Sequence, residues 1–492
     1  MRMKQLTELN SWIELEKHVQ TIRLATVNEL KSSAHRNQAL NISTQNIHLD
    51  LSKQRLNTSS VELLLALAEE CQLRNKIHAL MSGEIVNRSE NRPALHTALR
   101  APAKESIFVN GHNIIPEVQA AREAMKDISE KIRSGKWLGF SGKPIQDVVN
   151  IGIGGSDLGP RFLIKALAHL VDERLNYHFV SDVDPYALAN VTKKLNPETT
   201  LFIVSSKSFT TRETLYNAKK ALAWLDNPQH IDKHFIAVTA HGQRAKEFGF
   251  NQVLPIWDWV GGRFSLCSAV SLIAAIAIGY EAFSQLLEGA HHMDEHFKNA
   301  SFEQNIPVML ALAGIWNNNF LHIPNLLMLV YAQQLEYFVS YVQQLDMESN
   351  GKSIDQTGRA LNYSTGPLVW GGLGNQAQHS YYQLLCQGTH KVALDFISLK
   401  SFSSEIINEM SHAKQRILAY GVDNPLDPNG YIPGNQPLNH IELTDCSPFT
   451  LGQLVAMYEH KIYAQSVIWN INAFDQPGVE SAKKQSAPST II

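Results

Sequence analysis

The sequence has 492 residues, and this length exceeds what one hydrophobic core usually organises, so two or three core units are expected. Its formal net charge of -3 and its 44% hydrophobic content indicate a globular protein and argue against broad electrostatic attraction to nucleic acid or anionic membranes. The four cysteines are widely spaced, which argues against a zinc or disulfide framework. No secretory signal is visible and the most apolar stretch, 269–279, is too short to span a bilayer, so a soluble, cytoplasmic protein is expected.

Three regions with different periodicity follow one another along the chain. The first, residues 1–105, is predicted to be a helical segment, because up to Asn91 it contains one glycine and no proline while apolar residues recur at helical spacing. The second, residues 106–280, alternates short apolar runs with amphipathic stretches, which indicates an α/β domain with parallel strands. Its five strands are predicted at 147–153, 177–181, 200–205, 234–239 and 253–257.

The third region, residues 281–492, predicts a second and related α/β domain. Strand-like runs return at 366–371 and 390–397 after a stretch, 265–345, that is predicted to be helical. The chain after 397 is predicted to be helical as well.

Two loops after predicted strands are suited to bind an anion. The first, residues 152–159, reads GIGGSDLG and joins a glycine turn to a helix start, where backbone N–H groups and the positive helix end are exposed. A capping box of Thr210 with Glu213 is predicted to start a helix in the second loop. That loop carries three hydroxyls and an ammonium group, on Ser206, Lys207, Ser208 and Thr211.

Because both loops follow strands of one sheet, we expect them to share a ligand, such as a phosphate monoester, in the crevice at the carboxyl ends of the strands. The glycine turn fits neither a dinucleotide fingerprint, a P-loop nor a nucleophile elbow. The residues that break these three patterns are Asp157, Pro160 and Leu158. Tight packing of the glycine turn and an ordinary capped loop are the alternative interpretations.

Three further segments offer groups for proton transfer. Arg263 stands beside a glycine pair, where its guanidinium is placed either to stabilise an oxyanion or to form a buried ion pair. Glu348 ends an amphipathic helix and is a candidate general base, although most glutamates face solvent. His379 ends the loop 374–379 and is able to exchange a proton near neutral pH, although a lone histidine is more often structural.

One segment admits a metal alternative. His292 and His296 lie one helical turn apart, but the His-Glu-x-x-His arrangement is absent, so a solvated helix face is favoured. The histidines and carboxylate concerned are His291, His292, Asp294 and His296.

Five segments together resemble the glucose-6-phosphate isomerase, or phosphoglucose isomerase, family: GIGGSDLGP, SKSFTTRET, VGGRFSLCSAVSL, MESNGKS and FDQPGVESAKK. The resemblance runs from about Leu95 to Lys484. It implies two sugar-isomerase (SIS-type) α/β domains, each with a parallel five-stranded sheet flanked by helices, and an N-terminal segment packed on the second domain. It also implies a homodimer with the active site at the domain junction and the subunit interface, and catalysis by side chains without metal or redox cofactor.

The resemblance also implies roles for individual residues. Glu348 would move the proton between C2 and C1 of the open-chain sugar, and Arg263 would stabilise the enediolate. His379 of the neighbouring subunit would open the ring together with Lys483, for which Lys484 is the alternative, and Glu213 would orient the imidazole. The substrate would contact Gly155, Ser156, Ser206, Lys207, Ser208, Thr211, Gly262, Gln344 and Gln476.

Three functions are compatible with these features. The first is an isomerase of glycolysis and gluconeogenesis that interconverts glucose 6-phosphate and fructose 6-phosphate. The second is a sugar-phosphate sensor without catalysis, which the presence of Glu348, Arg263, His379 and Lys483 disfavours because binding alone needs no base. The third is a related isomerase that acts on another phosphosugar, such as mannose 6-phosphate or an amino sugar.

Overall fold

The structure, a computed structural model, describes residues 5–424 and 426–485. These residues form two main sheets and one short hairpin. The strands are β1 (Asn41–Ser43), β2 (Ile47–Asp50), β3 (Phe108–Val109), β4 (His112–Asn113), β5 (Asp147–Ile151), β6 (Asn176–Val180), β7 (Thr200–Ser205), β8 (Phe235–Thr239), β9 (Val253–Pro255), β10 (Asn325–Val330), β11 (Leu368–Leu373), β12 (Ala393–Leu399) and β13 (Leu438–Leu443).

Helices flank both sheets. The α-helices are α1 (Asn10–Ile22), α2 (Val27–Leu30), α3 (Ala34–Ala39), α4 (Thr58–Glu70), α5 (Leu73–Ser82), α6 (Ile115–Arg133), α7 (Leu158–Ala166), α8 (Pro185–Thr192), α9 (Arg212–Leu225), α10 (Ile231–His234), α11 (Gly242–Glu247), α12 (Leu272–Ile278), α13 (Tyr280–Asn299), α14 (Ile306–Ile315), α15 (Glu336–Asn350), α16 (Gly374–Ala377), α17 (Tyr382–Gln387), α18 (Ile406–Tyr420), α19 (Pro448–Ile468) and α20 (Pro477–Gln485). None of them, within the described ranges, combines the length and the apolar content that a membrane crossing requires.

The first sheet contains five parallel strands, as the sequence predicts, and their order is β6-β5-β7-β8-β9. Strands β5, β7 and β8 are buried along their whole length, which is typical of a parallel sheet covered by helices on both faces. Their sequences are rich in Val, Ile and Phe, residues that favour strands. The chain reverses direction across the sheet between β5 and β7, and ligands of open α/β sheets bind at such a point.

The second sheet differs from the prediction of five parallel strands. It has six strands in the order β1-β2-β13-β12-β10-β11. The four strands from β13 to β11 are parallel, whereas β2 pairs antiparallel with β13, and β1 with β2. The N-terminal segment is therefore not purely helical, since two of its strands extend this sheet. The α/β class itself is confirmed.

Two interior strands of the second sheet, β10 and β13, lie where helix was predicted. Strand β10 reads NLLMLV, and leucine and methionine favour helices in isolation, so composition concealed a strand that pairing with β11 and β12 stabilises. Strand β13 reads LNHIEL and contains polar residues that tertiary contacts bury. The predicted strands at 366–371 and 390–397 begin two to three residues later, as β11 and β12.

Helix α15 lies between the two sheets. It packs against α7 and the short 3-10 turns Gly154–Ser156 and Gly262–Phe264 on one side, and against β11 on the other. Behind it, α19 is buried along nearly its whole length and packs on α13 and α14. The C-terminal end of α15 is thereby held at the junction of the two units. The predicted domain boundaries at 105/106 and 280/281 stay predictions.

Candidate active site

Arg263 is a buried and tightly held side chain at the junction. Only 3% of the residue is exposed. Its guanidinium donates four hydrogen bonds: Nε to Ser349 Oγ (2.7 Å), Nη1 to Gln476 Oε1 (2.9 Å), and Nη2 to the carbonyls of Ala473 (2.5 Å) and Asp475 (2.9 Å). Since a guanidinium has five N–H groups, one remains, on Nη1. Burial lowers the pKa of Arg263, and the carboxylate of Glu348 opposes that shift.

Glu348 lies directly beside that nitrogen. Its Oε1 is 3.4 Å from Arg263 Nη1, while Oε2 accepts a hydrogen bond from Gln344 Nε2 at 2.9 Å, one helical turn earlier on α15. The Glu348 side chain is 23% exposed, so the carboxylate is reachable from the crevice. A base and a delocalised cation thus face the same space, which is the pairing that abstraction of a proton next to a carbonyl requires.

The glycine turn after β5 closes one wall of this space. A Cβ atom built on Gly155 would lie 2.0 Å from the carbonyl oxygen of Gly262, and one built on Gly154 would lie 2.9 Å from Gln344 Nε2. Gly154 also has a φ of +59°, a conformation that glycine adopts without strain. The turn therefore needs glycine for close approach to the Arg263 loop and to α15, in addition to any contact with a ligand. Ser156 follows at the rim, partly exposed.

The second predicted anion loop, residues 206–211 and here called the serine loop, follows β7, the strand next to β5, so both predicted anion loops lie at the same edge of the sheet. Its ammonium group, Lys207 Nζ, donates to the carbonyls of Asp258 (2.9 Å) and Val260 (2.8 Å) and ties the loop to the segment that carries Arg263. Burial, reinforced by the positive charge of Arg92, lowers the pKa of Lys207 to about 8. A cation with its charge so weakly compensated is suited to an anionic ligand.

The predicted capping box in this loop is wrong. Helix α9 begins at Arg212 with Thr211 as its N-cap, and no side chain caps its backbone. Thr210 Oγ1 instead donates to Ser208 Oγ at 2.7 Å, and Ser206 Oγ donates to Thr211 Oγ1 at 3.0 Å. The hydroxyls thus bond to one another around the helix start, because the intervening Phe209 has a positive φ of 49° that bends the loop.

Three of the predicted catalytic residues do not join this cluster within the chain. His379 is exposed in the loop after β11, and no hydrogen bond or ion pair connects it with Glu348 or Arg263 in the part of the chain that the structure describes. Lys483 lies exposed on α20, with Nζ 3.4 Å from Glu480 Oε1, and Lys484 is equally exposed. Glu213 lies partly buried in the first turn of α9.

Comparison with known proteins identifies the family. The profile of the phosphoglucose isomerase family matches residues 50–489. The chain belongs to the phosphoglucose isomerase family. A relative from Legionella pneumophila (strain Lens), described as glucose-6-phosphate isomerase, is 59% identical over 99% of this chain and 98% of its own. One from Hahella chejuensis with the same description is 42% identical over 97% of this chain and 91% of its own.

A solved structure supports the same assignment. The crystal structure of a glucose-6-phosphate isomerase from Chlamydia trachomatis superposes with a TM-score of 0.91 at 31% identity, covering 98% of this chain and 95% of that one. The family resemblance inferred from the five sequence segments is therefore confirmed.

In this phosphoglucose isomerase family member, five residues that the sequence analysis did not single out bond around the site: Asn87, Ser89, Lys352, Asn472 and Asp475. Asn472 and Asp475 precede Gln476 and bond to the N-terminal segment: Asn472 Nδ2 donates to Asn87 Oδ1 (2.9 Å), and Ser89 Oγ donates to Asp475 Oδ2 (2.5 Å). Lys352 also bonds to this loop, through the carbonyls of Asn472 and Asp475. Lys352 belongs to the segment MESNGKS, so the sequence did point to this part of the chain. Motif spacing, however, does not show which groups the Lys352 side chain contacts.

The histidines of the metal alternative have separate partners. His292 Nδ1 bonds Gln453 Nε2 at 2.9 Å, and His296 Nε2 accepts from the backbone N–H of Ile306 at 3.0 Å. Burial lowers the pKa of His296 to about 4. His291 Nε2 lies 3.7 Å from Glu105, and Asp294 accepts from Arg100. Within residues 5–424 and 426–485 no cluster of His, Cys, Asp and Glu is arranged to hold a metal ion.

Proposed function

We propose that the protein interconverts D-glucose 6-phosphate and D-fructose 6-phosphate, a step of glycolysis and gluconeogenesis. The observation that carries the proposal is the 3.4 Å separation of Glu348 Oε1 and Arg263 Nη1. This pair lies at a junction lined by the two loops suited to bind an anion, and the chain belongs to the phosphoglucose isomerase family. An aldose and a ketose differ by the position of two hydrogens, so one base and one oxyanion-stabilising group are sufficient for the carbon chemistry.

Binding starts at the phosphate. The serine loop supplies hydroxyl donors and the Lys207 ammonium at the end of β7, where the N-terminus of α9 adds its positive dipole. The groups proposed to hold the phosphate are Ser206, Lys207, Ser208 and Thr211. An anchored phosphate restricts the rest of the sugar, so that binding free energy is converted into alignment of the reacting carbons with Glu348.

Proton transfer then proceeds on the open-chain sugar. The Glu348 carboxylate removes the proton from C2 of the aldose, and the electrons of the C–H bond move toward the C1 carbonyl to give an enediolate. The free N–H of Arg263 Nη1 donates to the oxygen on which negative charge develops. The hydroxyl proton on O2 passes to O1, directly or through solvent, and Glu348 returns the carbon-bound proton to C1, which gives the ketose. Gln344 holds Oε2 of Glu348 during both transfers.

Ring opening is proposed to need a second subunit. The partner subunit's His379, oriented by Glu213, and Lys483 would transfer protons between the ring oxygen and the anomeric hydroxyl. The exposure of His379 and its separation from the Glu348 cluster in one chain support a site completed by a homodimer. We further propose a cytoplasmic location, which the four free cysteines support, because unpaired thiols persist in reducing compartments.

The function is tested by an assay of the purified chain with fructose 6-phosphate, with glucose 6-phosphate formation coupled to a dehydrogenase. Turnover is expected, and it should persist when the enzyme, pretreated with excess chelator, is assayed in metal-free buffer. No turnover of fructose 6-phosphate would overturn the proposal and favour the sensor. Parallel assays with mannose 6-phosphate and glucosamine 6-phosphate test the alternative of an isomerase for another phosphosugar. A higher kcat/KM for either compound than for fructose 6-phosphate would reassign the substrate.

A further inference from the structure

Lys352 joins the helix that carries Glu348 to the loop that fixes Arg263. It follows the C-terminus of α15, where the last carbonyl groups of a helix lack intrahelical partners. Lys352 Nζ turns back and donates to two of these carbonyls, those of Glu348 (3.1 Å) and Ser349 (2.8 Å). A cation in this position satisfies orphan acceptors and opposes the negative end of the helix dipole.

The same ammonium group also binds the opposite wall. It donates to the carbonyls of Asn472 and Asp475, each at 2.9 Å, and lies 3.3 Å from Asp475 Oδ1. The Asp475 carbonyl additionally accepts from Arg263 Nη2 at 2.9 Å. One carbonyl oxygen is therefore shared between the Lys352 ammonium and the Arg263 guanidinium, so a shift of either cation moves the other's acceptor.

We infer that Lys352 is a positioning residue for the isomerisation, one that holds the Glu348 carboxylate and the Arg263 guanidinium in a fixed mutual geometry by clamping the end of α15 to the 472–476 loop. It acts through these two residues, and no role in contact with the sugar is assigned to it. The inference rests on the proposed function, because it concerns the alignment of the base with the oxyanion-stabilising group.

The burial of Lys352 argues against an incidental surface contact. Its side chain is 11% exposed, and one carboxylate, that of Asp475, pairs with it among the described residues. Burial, together with the nearby positive charge of Arg263, lowers the pKa of Lys352 to about 8. Holding an ammonium in such surroundings is unfavourable unless its donors are used, and here five oxygens surround its three N–H groups.

The experiment compares Lys352→Met with Lys352→Arg and with the wild type. Methionine keeps the length but removes every donor, so kcat for fructose 6-phosphate should fall about 100-fold, the loss expected from a small misplacement of reacting groups. KM should change by less than about threefold, because Lys352 contacts none of the phosphate-binding residues. Lys352→Arg restores a cation with donors and should recover at least about tenfold of the lost kcat. Lys131→Met, which removes an exposed lysine paired with Asp127, is the matched control.

Each outcome has one meaning. If the wild type turns over fructose 6-phosphate and a folded Lys352→Met variant keeps kcat within about threefold, the positioning role is wrong while the proposed function stands. An inactive wild type would instead refute the proposed function. Circular dichroism and thermal melting report folding. If Lys352→Met does not fold, it is replaced by Lys352→Gln, which keeps two N–H donors. A fall in the kcat of Lys352→Gln of at least about fivefold at unchanged KM supports the positioning role, and wild-type kcat in that variant overturns it.

Discussion

Arg263 and Glu348 form an ion pair in which the two partners are held very differently. Among the described residues, four hydrogen bonds fix the guanidinium, whereas the Glu348 carboxylate accepts one, from Gln344. When a sugar enters, the carboxylate is therefore the partner that adjusts, and the guanidinium is a preorganised donor. Preorganisation of this kind lowers the cost of stabilising charge in a transition state.

Glu348→Gln removes the proposed base with almost no change in shape. We expect kcat to fall by about 10²- to 10⁴-fold, the range for a general base, because the amide accepts no proton from carbon. Binding of 5-phosphoarabinonate, an enediolate mimic, should persist. Steady-state kinetics and calorimetry measure the two quantities. Full kcat in this variant would assign the base to another residue.

Arg263→Lys keeps the charge but loses the planar fork. The four bonds to Ser349, Gln476 and the carbonyls of Ala473 and Asp475 need donors that one ammonium group cannot supply in the same directions. We expect kcat to fall by about 10²- to 10³-fold, as for removal of an oxyanion donor. Arg122→Lys, at a partly buried arginine on α6, is the control and should keep wild-type kcat. Wild-type kcat in Arg263→Lys would refute the role.

The pKa of Lys207, about 8, predicts a pH dependence of substrate binding. Below that pH the ammonium is charged, and it loses its charge as the pH rises through the pKa, while the sugar phosphate remains a dianion. KM for fructose 6-phosphate should therefore rise between about pH 7.5 and 9.5. Lys207→Arg should abolish that rise because a guanidinium does not titrate in this range. A KM that rises equally in both proteins would exclude Lys207 as its origin.

Gly155→Ala tests the close approach of the glycine turn to the Arg263 loop. The added Cβ would meet the Gly262 carbonyl at 2.0 Å, so the two loops must separate. We expect kcat/KM to fall at least about tenfold, since displaced catalytic loops lose alignment. Gly242→Ala is the matched control: its Cβ would lie 3.7 Å from Val253, an ordinary contact. Equal kcat/KM in the two variants would show that the turn tolerates a side chain.

The proposed shared site predicts complementation between inactive variants. In a mixed dimer of Glu348→Gln and His379→Ala chains, one site carries both changes and the other carries neither. Random reassembly after mild denaturation should restore about a quarter of wild-type activity, since half of the dimers gain one intact site. Each variant reassembled alone is the control. No recovery above the two parents would contradict a site built from two subunits.

The sequence predicted the first sheet more accurately than the second, for a physical reason. Strands β5, β7 and β8 are runs of β-branched and aromatic residues bounded by turns, so their local pattern and final environment agree. Strand β10 and the strands β1 and β2 carry no such pattern. Strand β10 has helix-favouring residues, and β1 and β2 are three and four residues long, so pairing with distant segments decides their conformation.

For the site, the sequence by itself determined which groups are available and in which loops: a carboxylate at a helix end, an arginine beside two glycines, and hydroxyls after a buried strand. Only the tertiary structure decided three relationships: Arg263 Nη1 lies 3.4 Å from the Glu348 carboxylate, the Gly262 carbonyl leaves no room for a side chain at Gly155, and Lys352 shares an acceptor with Arg263. These relationships depend on distances between segments far apart in the chain, and local periodicity and motif spacing carry no information about such distances.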